Sequence, residues 1–261
     1  MTWFEALILG LIQGLTEFLP VSSSGHLEIG KVLLNVEVKE SLTFTVIVHF
    51  ATVLSTITVF SKEIKKLFAG LFQFKWNEET KYISKILVSM IPVLFIGLMF
   101  RDEVESLFSG NLLLVGSALL LTALLLISTQ LVKPGKKKIP FLDALLMGIA
   151  QAIATVPGIS RSGATIATGL LLKNERSNVA KFSFLMVLIP VIGAALLDFL
   201  SMSSSPSETG VATGSLIIGF LAAYLSGYLA CTWMINLVKK GKLYWFAIYC
   251  AIVGIISIIF A

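Results

Sequence analysis

Two short stretches gather the polar groups that could handle a phosphate. The first runs from Gln13 through Glu17 and Pro20 to Ser22, Ser23, Ser24, Gly25 and His26. The second is Pro157-Gly158-Ile159-Ser160-Arg161-Ser162-Gly163, followed by Thr165. Both lie inside strongly apolar sequence, where an ionisable side chain is costly and marks function by default. Three such residues stand out: Glu17, His26 and Arg161.

Arg161 is the natural oxyanion clamp. Its planar guanidinium can hold phosphate oxygens through two parallel bonds, and a helix start at this position adds free N–H groups that favour anions. The plainer alternative is a structural pair with Glu17, and both states can alternate. His26 has the chemistry of a base, an acid or a nucleophile; a histidine capping a helix is its structural alternative. Gln13 and Glu17 stand at i and i+4 and share a helix face. They are candidates to hold a divalent cation across phosphate oxygens, or to orient a hydroxyl or water. Ser23, between the Glu17 and His26 elements, is the nucleophile candidate. Ser22, Ser24, Ser160, Ser162 and Thr165 are candidate donors to phosphate, although serines in turns also serve as ordinary caps. The other histidine, His49 in VIVHFATVL, reads as packed or bonded to a neighbouring helix. Glu5 and Asp143 fall near hairpin entrances, where interfacial exposure makes a charge cheap. Asp198 falls near the end of a span.

The elements that must carry these residues belong to a membrane. Of 261 residues, 56% are hydrophobic and only 13% charged, against about 25% charged in a soluble domain. The mean hydropathy is +0.93. Six segments are long enough to cross a bilayer as helices, which takes roughly 20 residues: approximately 41–60, 82–100, 111–131, 179–200, 211–236 and 243–261. The stretches 1–34 and 141–173 are apolar too, but each is interrupted by one of the polar breaks. Such a break at membrane depth must be surrounded by protein or water. Both are therefore read as re-entrant helical hairpins, in an all-α polytopic membrane protein forming one domain over 1–261.

Charge supports this count. Sixteen of the 20 basic residues lie in the loops 62–85, 133–138, 173–181 and 239–242. Six spans put all of them on one side, which the positive-inside rule makes cytoplasmic. Asp102, Glu103, Glu105, the Ser-rich loop 201–210 and both termini fall on the other. The same distribution argues against nucleic-acid binding. The N-terminus has no basic leader pattern and reads as mature structure. Cys231 and Cys250 make neither a metal spacing nor a disulfide framework, and read as lipid-facing or packed thiols.

There is also an internal repeat. Gly10, Gln13, Ser22, Ser24, Gly25 and Phe44 recur 138 residues later as Gly148, Gln151, Ser160, Ser162, Gly163 and Phe182. The topology makes residues 1–131 and 138–261 inverted repeats, which commonly bring broken helices together near the midplane. Ser23 and Arg161 share the same repeat position. A secondary transporter or lipid flippase is thus the rival functional class.

At these residues the chain resembles the bacterial undecaprenyl-diphosphatases of the bacitracin-resistance type, over essentially its whole length. The resemblance implies hydrolysis of a polyprenyl diphosphate lipid, undecaprenyl diphosphate, to undecaprenyl phosphate and inorganic phosphate. This reaction recycles the carrier for peptidoglycan synthesis and relieves bacitracin. Important family positions fall on Glu17, Ser23, His26, Ser160, Arg161 and Thr165. A divalent cation, Mg2+ or Ca2+, is implied; glutamine at position 13 leaves Glu17 as the only carboxylate of the first signature. The resemblance places the protein in the bacterial plasma membrane with its site toward the outer face. Ser23, His26 and water all stay open as nucleophile, and a homodimer stays open as assembly.

Overall fold

The computed structural model describes residues 1–34, 38–108, 110–133, 135–193 and 211–261, with backbone alone at 38–42. The expected loop 201–210 and the distal part of the 179–200 span, with Asp198, lie outside these residues.

The regular secondary structure of the described residues is helical apart from one isolated bridge between Lys137 and Asn174. Helix α1 covers Trp3–Phe18 and α2 Ser23–Leu34, on either side of the first break. Thr2 opens α1 with a capping box, its hydroxyl on the Glu5 amide and the Glu5 carboxylate on its own amide. Then come α3 (Val38–Val59), α4 (Ser61–Leu71), α5 (Glu78–Met99), α6 (Arg101–Ser106) and α7 (Leu112–Ser128). Helices α8 (Phe141–Ile153) and α9 (Arg161–Leu171) flank the second break, followed by α10 (Arg176–Met186), α11 (Thr213–Lys240) and α12 (Tyr244–Ile259). Gly241 ends α11 in the left-handed conformation, after Lys239 and Lys240 in its last turn.

Among the described residues, four helical stretches are long and apolar enough to cross a membrane: Glu78–Met99, Leu112–Leu131, Arg176–Gly193 and Thr213–Lys240. A fifth candidate is the pair Thr43–Val59 and Ser61–Leu71, bent by 75°. The bend at Phe60 swings the lysines of α4 away from the α3 axis. The expected terminal span is helix α12, whose 16 residues reach only about 24 Å at 1.5 Å per residue. Leu87, Ile91, Leu94 and Leu98 form an exposed stripe along α5, as do Ile217, Leu221, Leu225 and Leu229 along α11. Apolar stripes of this length suit lipid and would be a liability in water.

Packing is symmetric in outline. Helix α1 lies along α11, and α8 lies along α5; α1 packs on α2, and α8 on α9. Helices α7 and α12 pack together at Gly116 and Gly254: a Cβ on either would sit within 2.8 Å of the other's carbonyl oxygen. Both cysteines are buried, so the packed reading holds.

One expectation is corrected. Asp143 is not an exposed interfacial charge but is 5% exposed. The Lys137 ammonium lies 2.7 Å from its Oδ2, and Asn174 donates to the same oxygen at 2.7 Å. A desolvated carboxylate needs such partners, and here they tie the loop before α8 to the loop after α9.

Candidate active site

The two breaks touch. A Cβ at Gly25 would lie 3.0 Å from Gly158 Cα, and one at Gly163 would lie 3.3 Å from Pro20 Cβ. Gly158 and Pro20 are separated by the repeat spacing, as are Gly25 and Gly163, so the two contacts are reciprocal. Gly158 has φ +96° and its Cα faces α7 so closely that a Cβ would sit 2.5 Å from the Val115 carbonyl oxygen. Only glycine suits both conditions. Thr122 of α7 fixes the second break, accepting from the Ser160 amide at 3.1 Å and donating to the Gly158 carbonyl at 3.2 Å. Cys250 of α12 donates to the Pro20 carbonyl at 3.6 Å in the first.

The local caps repeat as well. Ser22 Oγ accepts from the Gly25 amide at 3.2 Å, and Ser160 Oγ from the Gly163 amide at 3.0 Å. Ser22 and Ser24 hydroxyls are 3.3 Å apart, and Ser160 and Ser162 hydroxyls 3.2 Å. Ser22 departs from the symmetry in its backbone, with φ +69°, a conformation non-glycine residues adopt only under constraint. This turn brings Ser23 back over the end of α1.

Glu17 becomes the hub. Its Oε2 accepts from Ser23 Oγ at 2.6 Å and from Gln13 Nε2 at 2.9 Å. Its Oε1 accepts from Arg161 Nη2 at 2.8 Å. The side chain of Glu17 is 9% exposed and that of Arg161 27%. The carboxylate is therefore nearly desolvated, while the guanidinium keeps a face toward open space. One of its five N–H groups is bonded among the described residues, so others remain for phosphate oxygens.

Arg161 stands between two spaces. Toward one side is an open cleft of ≈ 290 Å³, lined by Ser24, Lys31, His49, Thr155 and Arg161 together with apolar Leu27, Val46 and Phe108. Toward the other is a small cavity shared with Glu17, Gln151 and Thr165. The cleft's lining combines polar and apolar side chains, the combination an amphipathic lipid requires.

Gln13, Glu17, Ser23 and Arg161 are thus joined by hydrogen bonds, while His26, three residues after Ser23 on α2, bonds elsewhere. Its Nδ1 meets the Ser22 carbonyl at 2.8 Å and its Nε2 the Tyr249 hydroxyl at 2.8 Å. A carbonyl only accepts, so Nδ1 carries the proton and Nε2 accepts from tyrosine. The rings stack, with 5.5 Å between centroids and 12° between planes. Thr165 lines the small cavity beside Arg161, with its hydroxyl bonded to the Arg161 carbonyl at 2.9 Å and to Ser183. His49 bonds to the carbonyl of Thr45 in its own helix at 2.8 Å rather than to a neighbouring helix. Sequence reasoning missed Tyr249, which sits in an apolar segment 223 residues from its partner. It also missed Glu28 and Lys31, paired at 3.0 Å on α2 beside the cleft. Their one signal was a charged pair in a stretch otherwise read as apolar.

Similarity to known proteins now decides the family. A family model described as bacitracin resistance protein BacA matches residues 6–256, which include both breaks. The chain belongs to that family. It is 57% identical to an undecaprenyl-diphosphatase of Bacteroides fragilis, covering 99% of this chain and 98% of that protein. It is 55% identical to one from Bacteroides thetaiotaomicron, over 99% of each chain. A more distant relative of the same name, from Desulforapulum autotrophicum, is 39% identical over 99% of this chain and 98% of its own.

Gln13 Oε1 is buried with no hydrogen-bond partner among the described residues, beside the Glu17 carboxylate. This amide oxygen and carboxylate suit a hard cation that takes its remaining ligands from substrate phosphates and water. No group of three or more His, Cys, Asp or Glu side chains forms a metal cage among the described residues.

Proposed function

We propose that this protein hydrolyses undecaprenyl diphosphate to undecaprenyl phosphate and inorganic phosphate in the bacterial plasma membrane, returning the carrier lipid to cell-wall synthesis. Its relatives carry that activity in their names. The observation that carries the chemistry is the Ser23 hydroxyl donating to Glu17 Oε2 at 2.6 Å while Arg161 holds Oε1. This is a nucleophile on its base, with the base oriented by a third group.

The prenyl tail lies along the apolar wall of the cleft and the diphosphate reaches Arg161. On substrate entry, the guanidinium turns its unused N–H groups to the terminal phosphate, where they neutralise charge that redistributes in the transition state. Ser23 Oγ forms a bond to the terminal phosphorus, its proton passes to Glu17, and the bridging P–O bond breaks. Undecaprenyl phosphate leaves with the electron pair and takes up that proton. Water then releases phosphate from Ser23. A divalent cation bound by Glu17 and Gln13 would add neutralisation of the phosphoryl oxygens. His26, bonded to Tyr249, holds the turn that presents Ser23.

The topology we favour has six spans and two re-entrant hairpins, in inverted repeats 1–131 and 138–261. The reciprocal Gly25–Gly158 and Gly163–Pro20 contacts support this reading. The cleft shares Val104 and Phe108 with the segment carrying Asp102, Glu103 and Glu105. Lys66, Lys85, Lys138 and Lys181 gather around a different cavity, which under the positive-inside rule supports an outward-facing catalytic cleft.

The test is product identification. Purified protein in detergent should convert undecaprenyl diphosphate to the monophosphate lipid plus phosphate, with no gradient supplied. Movement of intact lipid between vesicle leaflets without cleavage would instead establish transport as the activity.

A further inference from the structure

The small cavity behind Arg161 contains a group the reaction has not used. Gln151 is 1% exposed, and neither its Oε1 nor its Nε2 has a hydrogen-bond partner among the described residues. Leaving a buried amide unsatisfied at both ends is costly, so its environment calls for explanation. Gln151 lines the cavity beside Glu17, Arg161, Thr52, Thr56 and Ser183. The space has room for on the order of one water molecule, and is too small for a phosphate group.

The repeat sharpens the point. Gln13, at the equivalent position, donates to Glu17 one turn on at 2.9 Å. The position equivalent to Glu17 is Thr155, whose hydroxyl donates to its own helix at the Ala152 carbonyl, 2.8 Å away. Gln151 therefore lacks the carboxylate that occupies its counterpart. An amide that can donate at one end and accept at the other, among hydroxyl oxygens that can also accept, offers a water the two to four polar partners it needs.

We propose that Gln151 positions the water that releases phosphate from Ser23. The proposal rests on the phosphatase reading and deepens it. Glu17 and Arg161 both line this cavity, and Glu17 is bonded to Ser23, so a water held by Gln151 lies against the base and the clamp that meet the phosphate on Ser23. In the step itself, the water oxygen forms a bond to phosphorus and the P–Oγ bond of Ser23 breaks, its electron pair staying on Oγ. One water proton restores the serine hydroxyl and the other leaves on phosphate. Gln151 acts through the water and is a positioning residue.

The experiment is rapid-quench turnover of the purified full-length protein, with radiolabel in the terminal phosphate of undecaprenyl diphosphate. Wild type is compared with Gln151→Leu and Gln151→Asn, each checked for folding by melting temperature. Gln151→Leu should form one equivalent of undecaprenyl phosphate per protein at the wild-type rate, with label retained on Ser23. Later phosphate release should slow by at least about tenfold, the effect of losing one well-placed hydrogen bond, without a rise in KM. Gln151→Asn should show the same split in weaker form, and carries the comparison alone if the leucine variant does not fold. Unchanged phosphate release, or equal slowing of both products with no label on Ser23, would overturn the inference while leaving the phosphatase reading standing. A wild type that forms neither product would overturn the phosphatase reading and this inference together.

Discussion

Arg161 reaches across 144 residues of chain to donate from Nη2 to Glu17 Oε1 at 2.8 Å. One bond thereby joins the two breaks, and it joins the group that would clamp phosphate to the group that would activate the nucleophile. Substrate arrival must loosen this pair, since both partners are then needed for phosphate and serine.

Replacing Arg161 with lysine should not rescue what alanine loses. A lysine offers a point charge without the planar fork. Phosphate release by Arg161→Ala should fall by about 10²–10³-fold in kcat/KM, the range for losing one transition-state donor. Arg161→Lys should remain at least about tenfold below wild type. Initial rates in detergent check both.

Ser23 and Glu17 should behave as one unit. Ser23→Ala and Glu17→Gln are each expected to lose about 10⁴-fold or more in kcat, and the double variant should be scarcely worse than either. Independent losses that multiply would separate the two residues. Glu17→Gln should also lower the melting temperature, because it leaves a partly buried guanidinium without its anion.

The Tyr249 hydroxyl is bonded to His26 at 2.8 Å, whereas Ser23 is bonded to Glu17. Tyr249→Phe should therefore reduce kcat/KM only about fivefold, the worth of roughly one neutral hydrogen bond. Circular dichroism melts should stay near wild type.

Structural and chemical losses should be separable. Gly158→Ala places a Cβ 2.5 Å from the Val115 carbonyl oxygen at φ +96°, and should cost about 1–3 kcal/mol of stability. Asp143→Ala strands Lys137 and Asn174 and should cost a similar amount. Activity per folded molecule should persist in Asp143→Ala and fall in Gly158→Ala, since only the latter deforms the break that carries Arg161.

Much of this site was legible because polar residues are conspicuous in apolar sequence. Pro20, Pro157 and Gly158 mark the breaks, and the 138-residue spacing sets Ser23 opposite Arg161. The Glu17–Arg161 pair was the plainer of two readings of that arginine. What escaped depends on orientation and long-range packing. Nothing local ties Tyr249 to His26, so a tyrosine in an apolar helix reads as packing. Asp143 reads as interfacial because burial by Lys137 and Asn174 comes from loops outside its helix. The 75° turn after Phe60 leaves no stronger mark than a change from apolar to lysine-rich sequence. Helix α12, at 16 residues, is shorter than the apolar segment that contains it because its ends carry turns.

The most direct test of the central claim is phosphate release from undecaprenyl diphosphate by purified wild type and Arg161→Ala side by side, with Mg2+ or Ca2+ added and then chelated. The account predicts steady release by wild type, loss by about 10²–10³-fold in the variant, and a fall on chelation. Folded wild type that releases no phosphate with either cation, or an Arg161→Ala variant as active as wild type, would contradict it.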